Sequence, residues 1–358
     1  MKIKAISLIN FRNYRKIDIS IDSKINLLIG RNGQGKTNLL EAIWLCGYGK
    51  SYRTSNTKNL INFSNKGSEL RIELNNLGFK NEIKVLIHEN VKKIFLNDKR
   101  IKNRAELRKI LSAVILDKDF KNNLEKSFKP RRIILDSVIS NFSNGFNKKL
   151  KLYNKEIKRK NELLNSNGNN ELLNFIDNRL IEYSYKVSTE RKLWLSRITI
   201  FSEKILKKLN PEFKLELVFN SYCTNTKLLS EKFKLNREKE KKAKRSLSGS
   251  HKDEISFLFN GSDIFEFGSE GEKKSVSMAL KISEILLLKK INNAFPIILV
   301  DEIGSEFDEE RFNFFFNFIK SLEAQSFITA NNKNILEKTK NQQFGIFSII
   351  DGDCKKIS

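Results

Sequence analysis

One eight-residue segment constrains the fold more than any other part of the chain. The segment is Gly30-Arg31-Asn32-Gly33-Gln34-Gly35-Lys36-Thr37, which matches the pattern G-x-x-x-x-G-K-[ST] in full. It follows a short apolar stretch, residues 25–29, and precedes a mostly apolar stretch, residues 39–45. Because a loop of this type connects a buried strand to a helix and binds phosphate, the sequence predicts a nucleotide-binding α/β fold.

Each part of this segment has a chemical reason. The glycines let successive backbone N–H groups curl around a β-phosphate, and the N-terminus of the following helix adds a partial positive charge. The Lys36 ammonium is predicted to reach the β- and γ-phosphate oxygens, and the Thr37 hydroxyl to bind Mg²⁺. We therefore expect ATP and Mg²⁺ as cofactors.

A pair of acidic residues follows a second apolar stretch. Residues 297–300 form a buried-strand pattern, and Asp301 and Glu302 come directly after it. Asp301 is predicted to hold Mg²⁺ through its water shell, and Glu302 to orient or deprotonate the attacking water. The alternative is a strand that ends in two surface carboxylates. Two adjacent acids favour hydrolysis over binding alone, so we assign catalysis to Glu302 and Lys36.

A third segment offers a second anion site. Phe267-Gly268-Ser269-Glu270-Gly271-Glu272 precedes an apolar helix predicted over residues 275–291. Small residues with Ser269 at a helix N-terminus can bind a phosphate. The competing interpretation is a capping box, in which Ser269 and Glu272 satisfy the first N–H groups of an ordinary helix. The position of the segment, after the phosphate-binding loop and before the acidic pair, favours the anion site.

The net charge has two interpretations. The chain has 67 Lys and Arg against 42 Asp and Glu, which gives +25. Such an excess favours a nucleic acid as partner, because contacts with phosphates release counterions. Lys, Asn, Ile and Phe are also abundant while Pro is rare, as expected of an A/T-rich coding sequence, and many lysines would then only be solvated. The most basic run, residues 231–245, is predicted as a loop that is either solvated or in contact with phosphates.

Periodicity predicts the organisation of the chain. Alternating apolar residues over 3–115 indicate an antiparallel sheet built around the strand, loop and helix of the phosphate-binding motif. Helical spacing over 128–209, broken at Gly168, indicates an antiparallel helical hairpin. Strand-like alternation returns after Ser246.

Several classes of protein are excluded. The longest apolar run has about six residues, far fewer than the ~20 of a membrane-spanning helix. Three scattered cysteines have no spacing suited to zinc or to a disulfide framework. We therefore expect a cytoplasmic protein without a membrane partner.

The order of the three segments resembles that of the ABC-type ATPases, whose signature motif binds the γ-phosphate of a nucleotide held by the other subunit. Asn10-Phe11-Arg12-Asn13-Tyr14 and Glu41-Ala42-Ile43, on either side of the loop, are similar to the start of the SMC-related repair ATPases. Pro130-Arg131-Arg132-Ile133-Ile134-Leu135-Asp136 and Ser248-Gly249-Ser250-His251-Lys252-Asp253-Glu254 resemble the RecF family of bacterial recombination and gap-repair proteins. The resemblance covers nearly the whole chain.

This resemblance implies further site residues. Asn38 would join the phosphate-binding loop, and Ser269 and Gly271 would contact the nucleotide of a second subunit. Asp308, which ends the segment matching the D-loop, would also bind nucleotide. Arg12 and Arg15 are equally compatible with nucleotide or DNA contacts and with surface ion pairs.

Several positions depart from the family pattern. Glu272 stands where Gln is more frequent, Phe307 replaces Leu in the D-loop, and Ser250 and Lys252 replace Pro and Arg. Residues 329–332 occupy the switch region, where many ABC ATPases have His, so no residue that senses the γ-phosphate is assigned.

The fold class implied by the resemblance is α/β, an ABC-type ATPase head with a mixed sheet and an inserted helical lobe. The head would comprise residues 1–113 and 246–358, and the inserted lobe 114–245. Lys36 and Asp301 are 265 positions apart, far too few for an SMC-type coiled coil.

The resemblance also implies the activity. An ATP-dependent homodimer would clamp duplex DNA near single-strand gaps, hydrolyse ATP slowly, and work with RecO and RecR to load RecA. The alternatives are another ABC-type DNA-repair or defence ATPase with a short insertion, and an ABC transport subunit.

Overall fold

A computed structural model describes residues 1–76, 78–166, 168–302, 308–331 and 344–357. The strands are β1 Lys2–Phe11, β2 Tyr14–Ser20, β3 Ile25–Ile29, β4 Gly67–Asn76, β5 Phe79–His88, β6 Val91–Leu96, β7 Lys99–Arg100, β8 Ala113–Leu116, β9 Leu215–Asn220, β10 Glu254–Phe259, β11 Ser262–Asp263, β12 Ile297–Val300, β13 Ser326–Ala330, β14 Gly345–Ile350 and β15 Asp353–Lys356. The helices are α1 Lys36–Tyr48, α2 Arg104–Ile110, α3 Lys118–Glu125, α4 Phe128–Phe142, α5 Asn144–Asn165, α6 Asn170–Leu209, α7 Thr226–Ala243, α8 Ile264–Phe267, α9 Glu270–Asn292 and α10 Glu309–Ser321.

Two compact units divide the chain. The first comprises Met1–Lys118 and Glu284–Ser358, and the second comprises Asp119–Ser283. The sequence-based division placed residues 246–283 in the head, whereas in the structure they cluster with the second unit. The reason is strand pairing, because β10 lies antiparallel to β9 along its whole length.

The first unit contains two six-stranded sheets. One is antiparallel, in the order β2-β1-β4-β5-β6-β7, as the alternation of apolar residues predicts. The other has the order β15-β14-β3-β13-β12-β8 and is parallel except for β15. The prediction that the strand before the phosphate-binding loop lies within the antiparallel sheet is therefore wrong. That strand, β3, is buried at four of its five positions, as is typical of parallel strands covered on both faces.

Helix α1 occupies the space between the two sheets. Its side chains are buried on every face, and Leu39, Ile43 and Leu45 belong to one core with residues of both sheets. A helix that is apolar all round needs such an enclosure. The end of the phosphate-binding loop that leads into α1 is thereby anchored to this core.

The second unit is mainly helical, with the small sheet β11-β10-β9. Helices α5 and α6 form the predicted antiparallel hairpin, with Lys149 paired to Glu190 and Lys160 to Asp177. The basic run at 231–245 is largely helix α7 rather than the predicted loop. Its apolar residues are few: Leu229 and Phe233 are buried on one face, while Leu228 and Leu235 are exposed.

The burial of α7 also depends on charge. Glu240 is fully buried and lies 2.6 Å from the Lys160 ammonium, which contacts the Phe233 ring at 4.3 Å from its centre. A paired carboxylate can be buried where a lone one cannot.

Among the described residues, no helix is sufficiently long and apolar to cross a membrane.

Candidate nucleotide site

The parallel sheet brings the predicted residues to one edge. Strand β3 leads into the phosphate-binding loop, β12 leads into Asp301, and β13 leads into Asn331. These strands are parallel, with β13 hydrogen-bonded between the other two. Because the carboxyl ends of parallel strands meet at the same edge, three segments distant in sequence converge there.

The loop geometry requires glycine at two positions. Gly35, at the N-cap of α1, has φ +118°, a backbone conformation that residues other than glycine rarely adopt. At Gly30, a Cβ would lie 2.3 Å from the carbonyl oxygen of Ile349. The loop thus has a tightly fixed course between β3 and α1.

Neighbouring side chains hold the loop from outside. Asn13 donates from Nδ2 to the carbonyl of Gln34 at 2.8 Å, and the Tyr14 hydroxyl donates to the carbonyl of Gly35 at 2.8 Å. Asn38 donates to Asn13 Oδ1 at 2.8 Å. The Asn10–Tyr14 segment, noted in the sequence only for its resemblance, therefore supports the phosphate-binding loop directly.

Lys36 is enclosed by oxygen atoms. Its Nζ donates to the carbonyls of Gly30 at 2.6 Å and Arg31 at 2.9 Å, and to Asn331 Oδ1 at 2.8 Å. Burial lowers the pKa of Lys36, while the negative charges of Glu302 and Asp301 act in the opposite direction. The ammonium is thus positioned beside the loop backbone, where phosphate oxygens would bind.

Asp301 and Thr37 form an oxygen-rich pair. Thr37 Oγ1 lies 2.9 Å and 3.0 Å from the two carboxylate oxygens of Asp301. Burial raises the pKa of Asp301, and hydrogen bonds from Thr37 and Thr329 oppose that shift. A hydroxyl and a carboxylate are suitable ligands for Mg²⁺. In such sites, water and phosphate oxygens complete the coordination of the ion. These two residues therefore fit the predicted metal site.

Glu302 takes an unusual backbone conformation beside this pair. Its φ is +54°, and its N–H donates to Thr329 Oγ1 at 2.7 Å. The same hydroxyl donates to Asp301 Oδ1 at 2.9 Å. The carboxylate of the predicted metal ligand and the backbone N–H of the predicted catalytic residue thus share one contact.

Sequence reasoning did not assign Thr329 and Asn331, although both fall in the region compared with the ABC switch. Their position could have indicated a role in the site, since both lie at the carboxyl end of β13, a strand that pairs with β3. Asn332 and the D-loop residues 303–307 lie outside the described residues. Asp308 is described: it caps α10, accepts from the N–H of Arg311 at 3.0 Å, and is exposed.

An open groove adjoins the loop in the first unit. It has a volume of about 1060 Å³, and Arg12, Arg15, Asn38 and Arg53 line it. Arg12 forms a two-pronged ion pair with the buried Glu41, at 2.7 and 2.9 Å. Arg12 is thus paired with a buried carboxylate rather than in a surface ion pair, and its contact with nucleotide or DNA stays a prediction.

The Phe267–Glu272 segment, in the second unit, forms the capping box. Ser269 Oγ donates to Glu272 Oε2 at 2.8 Å, and the Ser269 N–H donates to the same oxygen at 2.8 Å. The Glu272 N–H lies 3.3 Å from Ser269 Oγ. Both Ser269 and Glu270 remain exposed, and Gly271 is half-buried. The cap leaves the side chain of Ser269 open to solvent, so both interpretations of this segment stand.

Comparison with known proteins identifies the family. A family model described as the RecF/RecN/SMC N terminal domain matches residues 2–354. The DNA replication and repair protein RecF of Clostridium kluyveri is 30% identical over 366 residues, covering 100% of both chains. The chain belongs to the RecF family. The RecF protein of Clostridioides difficile is 29% identical and covers 100% of this chain and 99% of its own.

Solved structures agree with this assignment. A structure of the recombination mediator protein RecF-ATPrS in the RecFOR pathway has a TM-score of 0.91 at 26% identity, covering 100% of this chain and 98% of that one. The corresponding RecF-ATP structure has a TM-score of 0.86 at 28% identity, with 99% of both chains covered. An Smc head bound to the C-winged helix domain of ScpA, at 19% identity and a TM-score of 0.59, shares the fold, covering 100% of this chain and 98% of that one. The prediction of an ABC-type ATPase head in the RecF family is confirmed.

Proposed function

We propose that this chain is an ATP-dependent DNA-binding protein of recombinational repair, whose ATP-bound dimer clamps duplex DNA near single-strand gaps. The observation that carries this proposal is the convergence of Lys36, Thr37, Asp301 and Glu302 at one sheet edge. Such an arrangement can bind a nucleoside triphosphate and position a water for its hydrolysis. The RecF relatives support a role in repair.

The nucleotide would bind with its phosphates along the loop. The backbone of residues 30–35 and the Lys36 ammonium would hold the phosphate oxygens. The groove lined by Arg12, Arg15 and Asn38 adjoins the start of α1 and would receive the nucleoside end. Thr37 and Asp301 would hold Mg²⁺, which would neutralise charge on the phosphates. Glu302 would orient the attacking water.

A second subunit would complete the site. Ser269 and Gly271 lie at an exposed helix N-terminus in the second unit, where they could face a phosphate presented by another chain. Asp308, also exposed, would join this composite site. Because shared nucleotides would link the two chains, dimerisation would depend on ATP.

The basic surface would bind the DNA. Helix α7 has five exposed lysines, namely Lys227, Lys232, Lys234, Lys239 and Lys242. These charges would contact phosphates without reading sequence. RecO and RecR would act as partners in loading RecA, in the cytoplasm at the nucleoid.

A filter-binding assay with gapped duplex DNA tests the proposal. We expect ATP to raise the affinity, and log K to fall linearly with log salt by about 0.9 per phosphate contact. Changing Lys234 and Lys239 to Gln should reduce this slope. Lys355, an exposed lysine of β15, is changed to Gln as the matched control and should leave the slope unchanged. Affinity for DNA that is independent of ATP would contradict the clamp.

A further inference from the structure

Thr329 is a buried hydroxyl at the centre of the nucleotide site. It lies near the end of β13, and its exposed fraction is 0%. Its Oγ1 donates to Asp301 Oδ1 at 2.9 Å and accepts from the N–H of Glu302 at 2.7 Å. One hydroxyl thus contacts two consecutive residues, each with a separate predicted role.

These contacts use the hydrogen-bonding capacity of the hydroxyl in both directions. A hydroxyl has one proton to donate, and here it goes to the carboxylate of Asp301. That bond restricts rotation of the carboxylate, which also contacts Thr37. The bond that the hydroxyl accepts restrains the backbone of Glu302, whose φ of +54° is sparsely populated by residues other than glycine. Surrounding contacts must stabilise such a conformation.

We propose that Thr329 is a positioning residue for ATP hydrolysis. Its hydroxyl fixes the carboxylate of Asp301 toward Thr37 and holds the backbone from which the Glu302 side chain extends. It acts through these two residues, with no contact to the nucleotide required. The inference rests on the proposed function, since it assigns a role within the hydrolysis site.

The same strand offers a matched control. Ser326 is also fully buried on β13, and within the described part of the chain its hydroxyl has no hydrogen-bond partner. Removing that hydroxyl changes the polarity of the strand without touching the acidic pair. A difference between the two positions would therefore report the contacts of Thr329 rather than the stability of β13.

The test compares two pairs of proteins, and the members of each pair differ in whether residue 329 carries a hydroxyl. Wild type against Thr329→Val removes the hydroxyl and keeps the branched shape, while Thr329→Ser against Thr329→Ala makes the same comparison without the methyl group. If the Val variant does not fold, the Ser and Ala pair decides. For each protein, and for Ser326→Ala, we would measure kcat and KM for ATP and thermal unfolding. We would also measure the affinity for a fluorescent ATP analogue over a series of Mg²⁺ concentrations.

We expect kcat to fall roughly 10–100-fold in the Val and Ala variants, as is usual when a residue behind a metal ligand is removed. Affinity for the analogue without Mg²⁺ should stay within about twofold of wild type, while more Mg²⁺ should be needed for full affinity. Thr329→Ser should keep most of the activity, and Ser326→Ala should behave as wild type.

Two results would overturn the inference. One is a wild-type kcat and Mg²⁺ dependence in the variants that lack the hydroxyl. The other is an equal loss in Thr329→Ser and Thr329→Ala, which would assign the effect to packing. Failure of the proposed function is a separate outcome, because the wild-type protein itself would then not hydrolyse ATP.

Discussion

The sheet edge of the first unit and the Phe267–Glu272 segment of the second satisfy their polar groups in different ways. At the edge, Lys36 is only 5% exposed, and it binds oxygens from its own loop and from Asn331, 295 positions away. In the segment, Ser269 is exposed and is capped by Glu272, three positions away. The edge is built by tertiary contacts, and the segment by local ones.

This difference indicates which region can act within one chain. Lys36, Thr37, Asp301 and Glu302 lie together in the first unit, so we expect a single chain to bind a nucleotide. Ser269 forms its hydrogen bonds with Glu272 of its own helix. The role proposed for Ser269 is a contact with the nucleotide of a second chain. Variants in the two regions should have different consequences.

The largest effect is expected at the sheet edge. Lys36→Ala should weaken ATP binding by about 100-fold or more, since each hydrogen bond to a charged group contributes about 1.5–3 kcal/mol. Hydrolysis should be lost with it. Isothermal titration with ATP measures the affinity, and Lys355→Ala serves as a control for loss of an exposed positive charge. Wild-type affinity in Lys36→Ala would remove this residue from the site.

At the acidic pair, the expected effect is confined to hydrolysis. Glu302→Gln should keep ATP affinity, because Lys36, Thr37 and Asp301 are unchanged. Turnover should fall by about 10²–10⁴-fold, the contribution of a positioned general base. The dimer should then persist in ATP and Mg²⁺, as sedimentation velocity would measure.

Glu73, an exposed carboxylate on β4, offers a control for this substitution. Glu73→Gln should behave as wild type in both assays. A Glu302→Gln protein that stays monomeric in ATP would argue against the sandwich of two chains.

Ser269→Arg distinguishes most clearly between the contributions of the two regions. Ser269→Arg should bind ATP as wild type, because the loop of its own chain is intact, yet it should neither dimerise nor hydrolyse. Mixing it with Lys36→Ala creates dimers in which one composite site has an intact Lys36 and an intact Ser269. Partial recovery of hydrolysis from two inactive proteins is therefore expected in a steady-state ATPase assay.

Ser269→Ala measures what the hydroxyl contributes to stability, by thermal unfolding, and to hydrolysis. It removes the capping hydroxyl at a cost of about 1 kcal/mol of stability, without adding bulk. Full activity in Ser269→Arg would leave the capping box as the whole explanation of this segment.

Some of the site could be predicted from residues close in sequence. The loop at 30–37 carries its own geometry, because the backbone at Gly35 and the approach at Gly30 require glycine. The acidic pair follows its strand directly, and the hairpin of α5 and α6 follows from apolar spacing and a break at Gly168. These features are local, so periodicity and motif were sufficient.

Other features depend on which strands become neighbours. The placement of β3 in the parallel sheet, and the contacts of Thr329 and Asn331 with the site, follow from pairing across about 300 residues. No pattern within the sequence of β13 predicts this pairing or these contacts. Helix α7 was missed for a related reason, since its burial depends on the Lys160–Glu240 pair from another helix.

The sequence by itself determined the phosphate-binding loop, the acidic pair and the α/β class, because each arises from backbone and side-chain chemistry within about ten residues. The tertiary structure decided which residues surround Lys36, how Asp301 and Glu302 are held, and that a basic run becomes a helix. Those outcomes depend on burial and on hydrogen bonds between distant segments, and the free energy of such contacts exists only once the segments have been brought together.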